Sequence, residues 1–217
     1  MTLLVLSGIG CDSRVWRATD LEDHDVTLVD HRDVMDSGSE PETISELARS
    51  ITNTLSTHTF DGIIAHSMGG LLAVVLLQKG WVEAGFLLAI ETSFIPAEAP
   101  YLTLFHPDTD EGLQDEIKSM LKRRIPRYPD ALRDSLRDGF DFESELASLS
   151  LPKILVYVQR RMEDGQTLKA NLNLSEDTLE KVTLHFISGA AHFPPLEHSD
   201  ALNDILKTLI PSGTDDR

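Results

Sequence analysis

Six short runs of apolar residues constrain the fold of this chain more than any other feature. The runs are Leu3–Leu6, Val26–Val29, Asp61–His66, Phe86–Ile90, Ile154–Val158 and Val182–Ile187. Helices are predicted between or after them over 42–57, Met68–Lys79 and Leu196–Leu209, where the apolar residues suit a helix. Strands that are apolar on both faces and alternate with helices are typical of a parallel sheet covered by helices on both sides. The sequence therefore predicts an α/β fold.

One long segment interrupts this alternation. The residues between the fourth and fifth runs lack strand character but contain two helical apolar faces, formed by Leu113, Ile117, Met120 and Leu121 and by Leu132, Leu136 and Phe140. Connections of this length in a compact domain are usually functional. We interpret 92–150 as a small helical cap inserted into a single domain that spans 1–217, since 217 residues are short for two domains.

The charge and composition of the chain exclude several classes of partner. Its formal net charge of −17 would repel nucleic-acid phosphates and anionic lipid headgroups. No apolar run approaches the ~20 residues that span a bilayer, and the N-terminal residues lack a signal-peptide pattern. The single cysteine, Cys11, excludes an intrachain disulfide. We therefore expect a cytoplasmic protein without a nucleic-acid or membrane partner.

The stretch IIAHSMGG, residues 63 to 70, predicts a strand, a tight turn and a helix, with Ser67 at the turn. Small residues, Ala65 and Gly69, flank the serine two positions away on each side, as in a nucleophile elbow of the form G-x-S-x-G with alanine for the first glycine. The helix that begins at Met68 directs free N–H groups toward this position, where they favour negative charge. The alternative is that Ser67 is only a helix N-cap.

A serine nucleophile needs a base, and His192 is the histidine best placed to serve. It follows the sixth run in ISGAAHFPPLEH and therefore lies at the same carboxyl edge of the sheet as Ser67. His66 is adjacent to the serine in sequence, but neighbours along a strand face opposite sides. We therefore predict that His192, and not His66, takes the proton of Ser67.

These motifs together resemble the α/β-hydrolase family, and the resemblance covers nearly the whole chain, from LLVLSGIGCDSRVW through IIAHSMGG to ISGAAHFPPLEHSDALNDIL. It implies six parallel strands in the order 2-1-3-4-5-6, the first two strands of the family being absent. It also implies an oxyanion hole formed by the backbone amides of Ile9 and Met68. Ser7 stands in the glycine loop where the family often has histidine.

The acid that orients the histidine has two candidate places. The family usually carries Asp after the penultimate strand, where this chain has an arginine, so that Glu163 or Asp164 would serve only with a longer loop. Some members, including polyketide-type thioesterases, place the acid after the strand that follows the nucleophile helix. That place corresponds to Glu91 in FLLAIETSF. We prefer Glu91 and keep Glu163 and Asp164 as alternatives.

The sequence thus predicts a serine hydrolase that cleaves a small carboxylic ester. No metal or organic cofactor is implied, because no cluster of metal ligands has suitable spacing. A thioesterase is one alternative, and a ligand-binding or signalling protein on the same fold is another, since the fold does not determine the function. Gly8-x-Gly10 and Asp30 also resemble a dinucleotide-binding fingerprint, but Ser13 occupies the place of its third glycine.

Overall fold

The computed structural model of the chain describes residues 1–38, 40–96, 104–137, 139–159 and 172–210. The strands in this part are β1 (Thr2–Leu6), β2 (Asp25–Val29), β3 (Thr59–Phe60), β4 (Gly62–His66), β5 (Glu83–Ala84), β6 (Leu87–Ile90), β7 (Lys153–Gln159) and β8 (Thr183–Ser188). The helices are α1 (His31–Asp36), α2 (Ile44–Thr52), α3 (Met68–Gln78), α4 (Glu111–Arg124), α5 (Asp130–Arg137), α6 (Glu143–Ser148), α7 (Glu176–Glu180), α8 (Pro194–Glu197) and α9 (Ser199–Leu209).

Six of these strands form one parallel sheet in the order β2-β1-β4-β6-β7-β8. Counted along the chain as six strands, this is the predicted order 2-1-3-4-5-6. The structure differs in one detail, because β3 and β5 pair as a separate short sheet of two-residue strands. A pairing that short leaves no periodic signal in the sequence.

Helices cover both faces of the sheet, as the apolar runs predict. On one face α2 and α3 bury residues such as Leu47 and Leu72, and on the other α9 buries Leu202 and Leu206. α3 is buried over most of its surface and packs between the sheet and α2. Parallel strands end at the same edge, so the segments after β1, β4, β6 and β8 meet at one carboxyl edge of the sheet.

Several helix boundaries differ from the predicted ones. α2 begins later than predicted because the Thr43 side chain accepts a hydrogen bond from the Glu46 amide and caps the helix there. The closing helix is divided into α8 and α9 at His198, whose backbone is non-helical with φ −146° and ψ 51°. α1 was not predicted; it is a short helix capped by Asp30.

The described part of the connection between β6 and β7 is helical, with α4, a 3-10 turn (Ile125–Arg127), α5 and α6. α4 buries Ile117 and Met120 in the same apolar cluster as Trp16, and α6 packs against α3. The interpretation of 92–150 as a cap on a single domain stays a prediction. In the described part of the chain, none of the helices combines the length and apolar character that crossing a membrane requires.

Candidate active site

Ser67 occupies a strained turn between β4 and α3. Its backbone angles, φ 54° and ψ −124°, lie in a region that residues other than glycine rarely adopt. Such strain costs about 1–3 kcal/mol and is found mainly at functional sites. The Ser67 side chain makes no capping hydrogen bond to α3, which argues against the alternative that it is only a helix cap.

Gly69 and Gly70, in the first turn of α3, permit this arrangement because they have no side chains to accommodate. A β-carbon at Gly69 would lie 2.3 Å from the carbonyl oxygen of Leu6, and one at Gly70 would lie 2.2 Å from the Thr92 hydroxyl. That hydroxyl donates a 2.9 Å hydrogen bond to the carbonyl of Ser67, and the Ser67 amide donates to the carbonyl of Ile90 at 2.9 Å. The turn is therefore held between β1 and the end of β6.

His192 contacts the serine hydroxyl, as the sequence predicts. Its Nε2 lies 3.1 Å from Ser67 Oγ, and its side chain is only 16% exposed. For Nε2 to accept the serine proton, the neutral ring must carry its proton on Nδ1. Nδ1 is buried and has no hydrogen-bond partner among the described residues.

Glu91 is the carboxylate that faces this Nδ1 atom. Its Oε2 lies 3.5 Å from His192 Nδ1, and its side chain is 4% exposed. Its Oε1 accepts a 2.8 Å hydrogen bond from the Val158 amide, which fixes the orientation of the carboxylate. The 3.5 Å contact is longer than a hydrogen bond, but such contacts often shorten when substrate binds. Glu163 and Asp164, the alternative acids, lie outside the described residues.

The glycine loop after β1 lies against the serine. A β-carbon at Gly8 would lie 3.0 Å from Ser67 Cβ and 3.4 Å from Ser67 Oγ, so glycine allows this close approach. Among the residues that the structure describes, the amides of Ile9 and Met68 donate to no protein acceptor; Met68 is the first residue of α3, whose N–H has no partner within the helix. Both amides remain available as the predicted oxyanion donors.

His66 has a structural role at the site that its sequence context does not indicate. Its ring is fully buried, and Nε2 lies 2.7 Å from the backbone carbonyl of His192. Burial, followed by the influence of the neighbouring His192, lowers the pKa of His66 to about 3. The neutral ring therefore donates from Nε2 to this carbonyl and supports the loop that carries His192. Adjacency to Ser67 was its only sequence signal.

The buried histidines predict a loss of stability in acid. The pKa of His66 falls from an ordinary 6.5 to about 3 and that of His31 to about 4. Below pH 6.5 these two rings are protonated in the unfolded chain but stay neutral in the folded chain. The stability that is present above this pH is therefore lost as the pH falls. Between pH 7 and pH 5 each ring contributes a loss of about 2 kcal/mol in the free energy of unfolding.

Urea denaturation of the wild type and of His66→Gln at pH 7 and pH 5 measures this contribution. Glutamine retains an N–H donor for the His192 carbonyl but does not titrate. We expect the pH-dependent loss to be about 2 kcal/mol smaller in His66→Gln. An equal loss in both proteins would contradict the neutral state of His66.

The described residues contain no group of three or more His, Cys, Asp or Glu side chains placed to hold a metal ion.

The dinucleotide-binding alternative also lacks support. Asp30 pairs with Arg124 and accepts a hydrogen bond from the Arg32 amide, and a β-carbon at Gly10 would collide with Ile125. The space beside the glycine loop is therefore occupied by protein side chains.

Comparisons with known proteins find similarity at the level of structure. No protein-family model matches the chain, and no curated protein matches it. It is similar to a bromoperoxidase from Bacillus anthracis (12% identity, 97% of this chain and 92% of that chain, TM-score 0.73). It is also similar to MenH from S. aureus (14% identity, 96% of this chain and 92% of that chain, TM-score 0.72). A third similar structure is a carboxylesterase from Bacillus subtilis (16% identity, 97% of this chain and 84% of that chain, TM-score 0.63). At these identities the likeness concerns the fold.

Proposed function

Because the chain has the α/β-hydrolase fold, we propose that it is a serine hydrolase that cleaves a small carboxylic ester. The observation that carries the proposal is the 3.1 Å contact between Ser67 Oγ and His192 Nε2 at a strained strand-to-helix turn. A serine that only packed or capped a helix would need neither the strain nor a buried histidine. The similarity to a carboxylesterase from Bacillus subtilis agrees with this substrate class.

The mechanism follows from the roles of three side chains and two amides. Ser67 attacks the acyl carbonyl while His192 Nε2 takes its proton, and the Ile9 and Met68 amides stabilise the oxyanion. His192 then gives the proton to the leaving alcohol, and water releases the acyl group by the same route. The Glu91 carboxylate holds the proton of the neutral ring on Nδ1 and stabilises the imidazolium that forms.

A helical cap over 92–150 is part of the proposal. The hydroxyl of Tyr128, which lies between the 3-10 turn and α5, accepts a 3.2 Å hydrogen bond from the Gly10 amide, so the connection between β6 and β7 contacts the glycine loop. Of its basic residues, Arg124 pairs with Asp30 and Asp12, and Arg127 lies 3.7 Å from Asp36. Arg124 and Arg127 thus face carboxylates of this chain, which favours an uncharged ester over the thioester of an anionic acyl carrier. A thioester stays the second candidate because Glu91 follows β6.

Labelling with a fluorophosphonate probe tests the proposal on the wild-type protein. An activated serine reacts with the probe, so we expect stoichiometric labelling that peptide mapping assigns to Ser67, and no labelling after heat denaturation. Nitrophenyl esters and acyl thioesters of graded length then give kcat/KM for the two substrate classes. Absence of labelling, together with absence of turnover on both classes, would reject the hydrolase and favour the binding-protein alternative.

A further inference from the structure

Glu197, the last residue of α8, holds the loop that carries His192. Its Oε2 accepts a 2.9 Å hydrogen bond from the Ala191 amide and a 3.0 Å hydrogen bond from the Phe193 amide. These two amides flank His192 in sequence. The carbonyl of His192 itself accepts from His66. Three consecutive residues of the loop are therefore fixed through their backbone groups.

The other oxygen of Glu197 reaches the connection between β6 and β7. Its Oε1 accepts from the His106 amide at 2.9 Å and from the Thr109 hydroxyl at 2.6 Å. The carbonyl of Thr109 in turn accepts from the Gln114 side chain on α4 at 2.9 Å. One carboxylate thus joins the His192 loop to the segment that leads into α4.

The chemistry of this position requires a carboxylate. All four of its partners donate, and an ionised carboxylate is an acceptor on both oxygens. An amide of the same shape would keep one acceptor and present N–H groups to a donor on the other side. Small displacements of a reacting group have large effects on rate, because a misplacement of ~1 Å costs about 100-fold.

We propose that Glu197 is a positioning residue for His192 and that it couples the His192 loop to residues 104–110. The proposal rests on the serine hydrolase function proposed above. Glu197 lies at neither the serine nor the reacting carbonyl, and it acts through the backbone of Ala191 and Phe193. A displacement of residues 104–110 removes two of its four hydrogen bonds and is transmitted to the His192 ring.

The test compares Glu197→Gln with Thr109→Val, and uses Glu180→Gln at the exposed end of α7 as the matched control. Rates are expressed per folded molecule, with circular dichroism as the check of folding, so that a loss of folded protein does not count. We expect Glu197→Gln to lower kcat about 10- to 100-fold with little change in KM. Thr109→Val should lower kcat about threefold, whereas Thr109→Ser and Glu180→Gln should match the wild type.

A second readout does not depend on activity. The ring C–H resonance of His192, assigned by comparison with His192→Gln, reports the position of the ring by NMR in the wild type. Glu197→Gln should broaden or shift this resonance, and Thr109→Val should do so to a smaller extent. If Glu197→Gln only lowers stability, with wild-type kcat per folded molecule and an unchanged resonance, the proposal is overturned.

The two proposals fail in different ways. If the wild type shows no labelling of Ser67, the hydrolase function fails, while the resonance still reports whether Glu197 positions His192. If the wild type is labelled and Glu197→Gln reacts at the same rate, only the positioning role fails. If Glu197→Gln does not fold, the kcat of Thr109→Val tests the positioning role instead. This variant removes one hydrogen bond between Glu197 and residues 104–110 and leaves the hydrogen bonds to the Ala191 and Phe193 amides in place.

Discussion

Replacing Ser67 by alanine is expected to lower kcat for ester hydrolysis by about a million-fold. The remaining rate is the one that substrate binding and the oxyanion hole support without a nucleophile. The reason is that His192 then has no hydroxyl to activate and no acyl-enzyme forms. The fluorophosphonate probe should no longer label the protein. Turnover is measured per folded molecule, with circular dichroism as the check of folding. Ester hydrolysis that persists in Ser67→Ala would show that another group attacks the substrate.

Ser67→Gly is the matched control for this experiment. Glycine also removes the nucleophile, but it adopts φ 54° without the strain that serine or alanine bears. We expect Ser67→Gly to be inactive and about 1 kcal/mol more stable than Ser67→Ala in urea denaturation. If the alanine variant is the more stable of the two, the turn does not store strain.

Glu91→Gln is the second large effect, with an expected loss in kcat of about 10,000-fold. The Val158 amide donates to Oε1 of Glu91, so the amide oxygen of glutamine should take this place and its NH₂ group should face His192 Nδ1. That arrangement favours the tautomer with the proton on Nε2, which cannot accept the proton of Ser67. The imidazolium also loses its carboxylate partner.

The measurement is kcat per folded molecule for Glu91→Gln beside the double variant Glu163→Gln/Asp164→Asn. The double variant tests the alternative acids and is expected to retain wild-type turnover. Thermal denaturation of both variants separates lost catalysis from lost folding. If the double variant loses activity and Glu91→Gln retains it, the acid lies after β7 and the assignment of Glu91 is wrong.

The sequence predicted the fold because its signals are local. Short apolar strands, the small residues around Ser67 and the helix that follows are each read from a few neighbouring residues, and parallel pairing then brings the ends of β4 and β8 to one edge. The same reasoning predicted that His192 would meet Ser67. It missed α1 and the break at His198, because a six-residue helix and a single non-helical residue leave weak patterns.

The tertiary structure decided which polar groups meet across the site. The family resemblance favoured Glu91 over Glu163 and Asp164 as the acid. That Glu91 faces His192 Nδ1 depends on the end of β6 lying beside the loop after β8, about 100 residues later in the chain. The roles of His66 and Glu197 likewise depend on backbone groups of the His192 loop. Backbone amides and carbonyls are nearly the same in every residue type, so the sequence does not indicate which side chain will bind a given backbone group. Only the packing of the chain determines these partners.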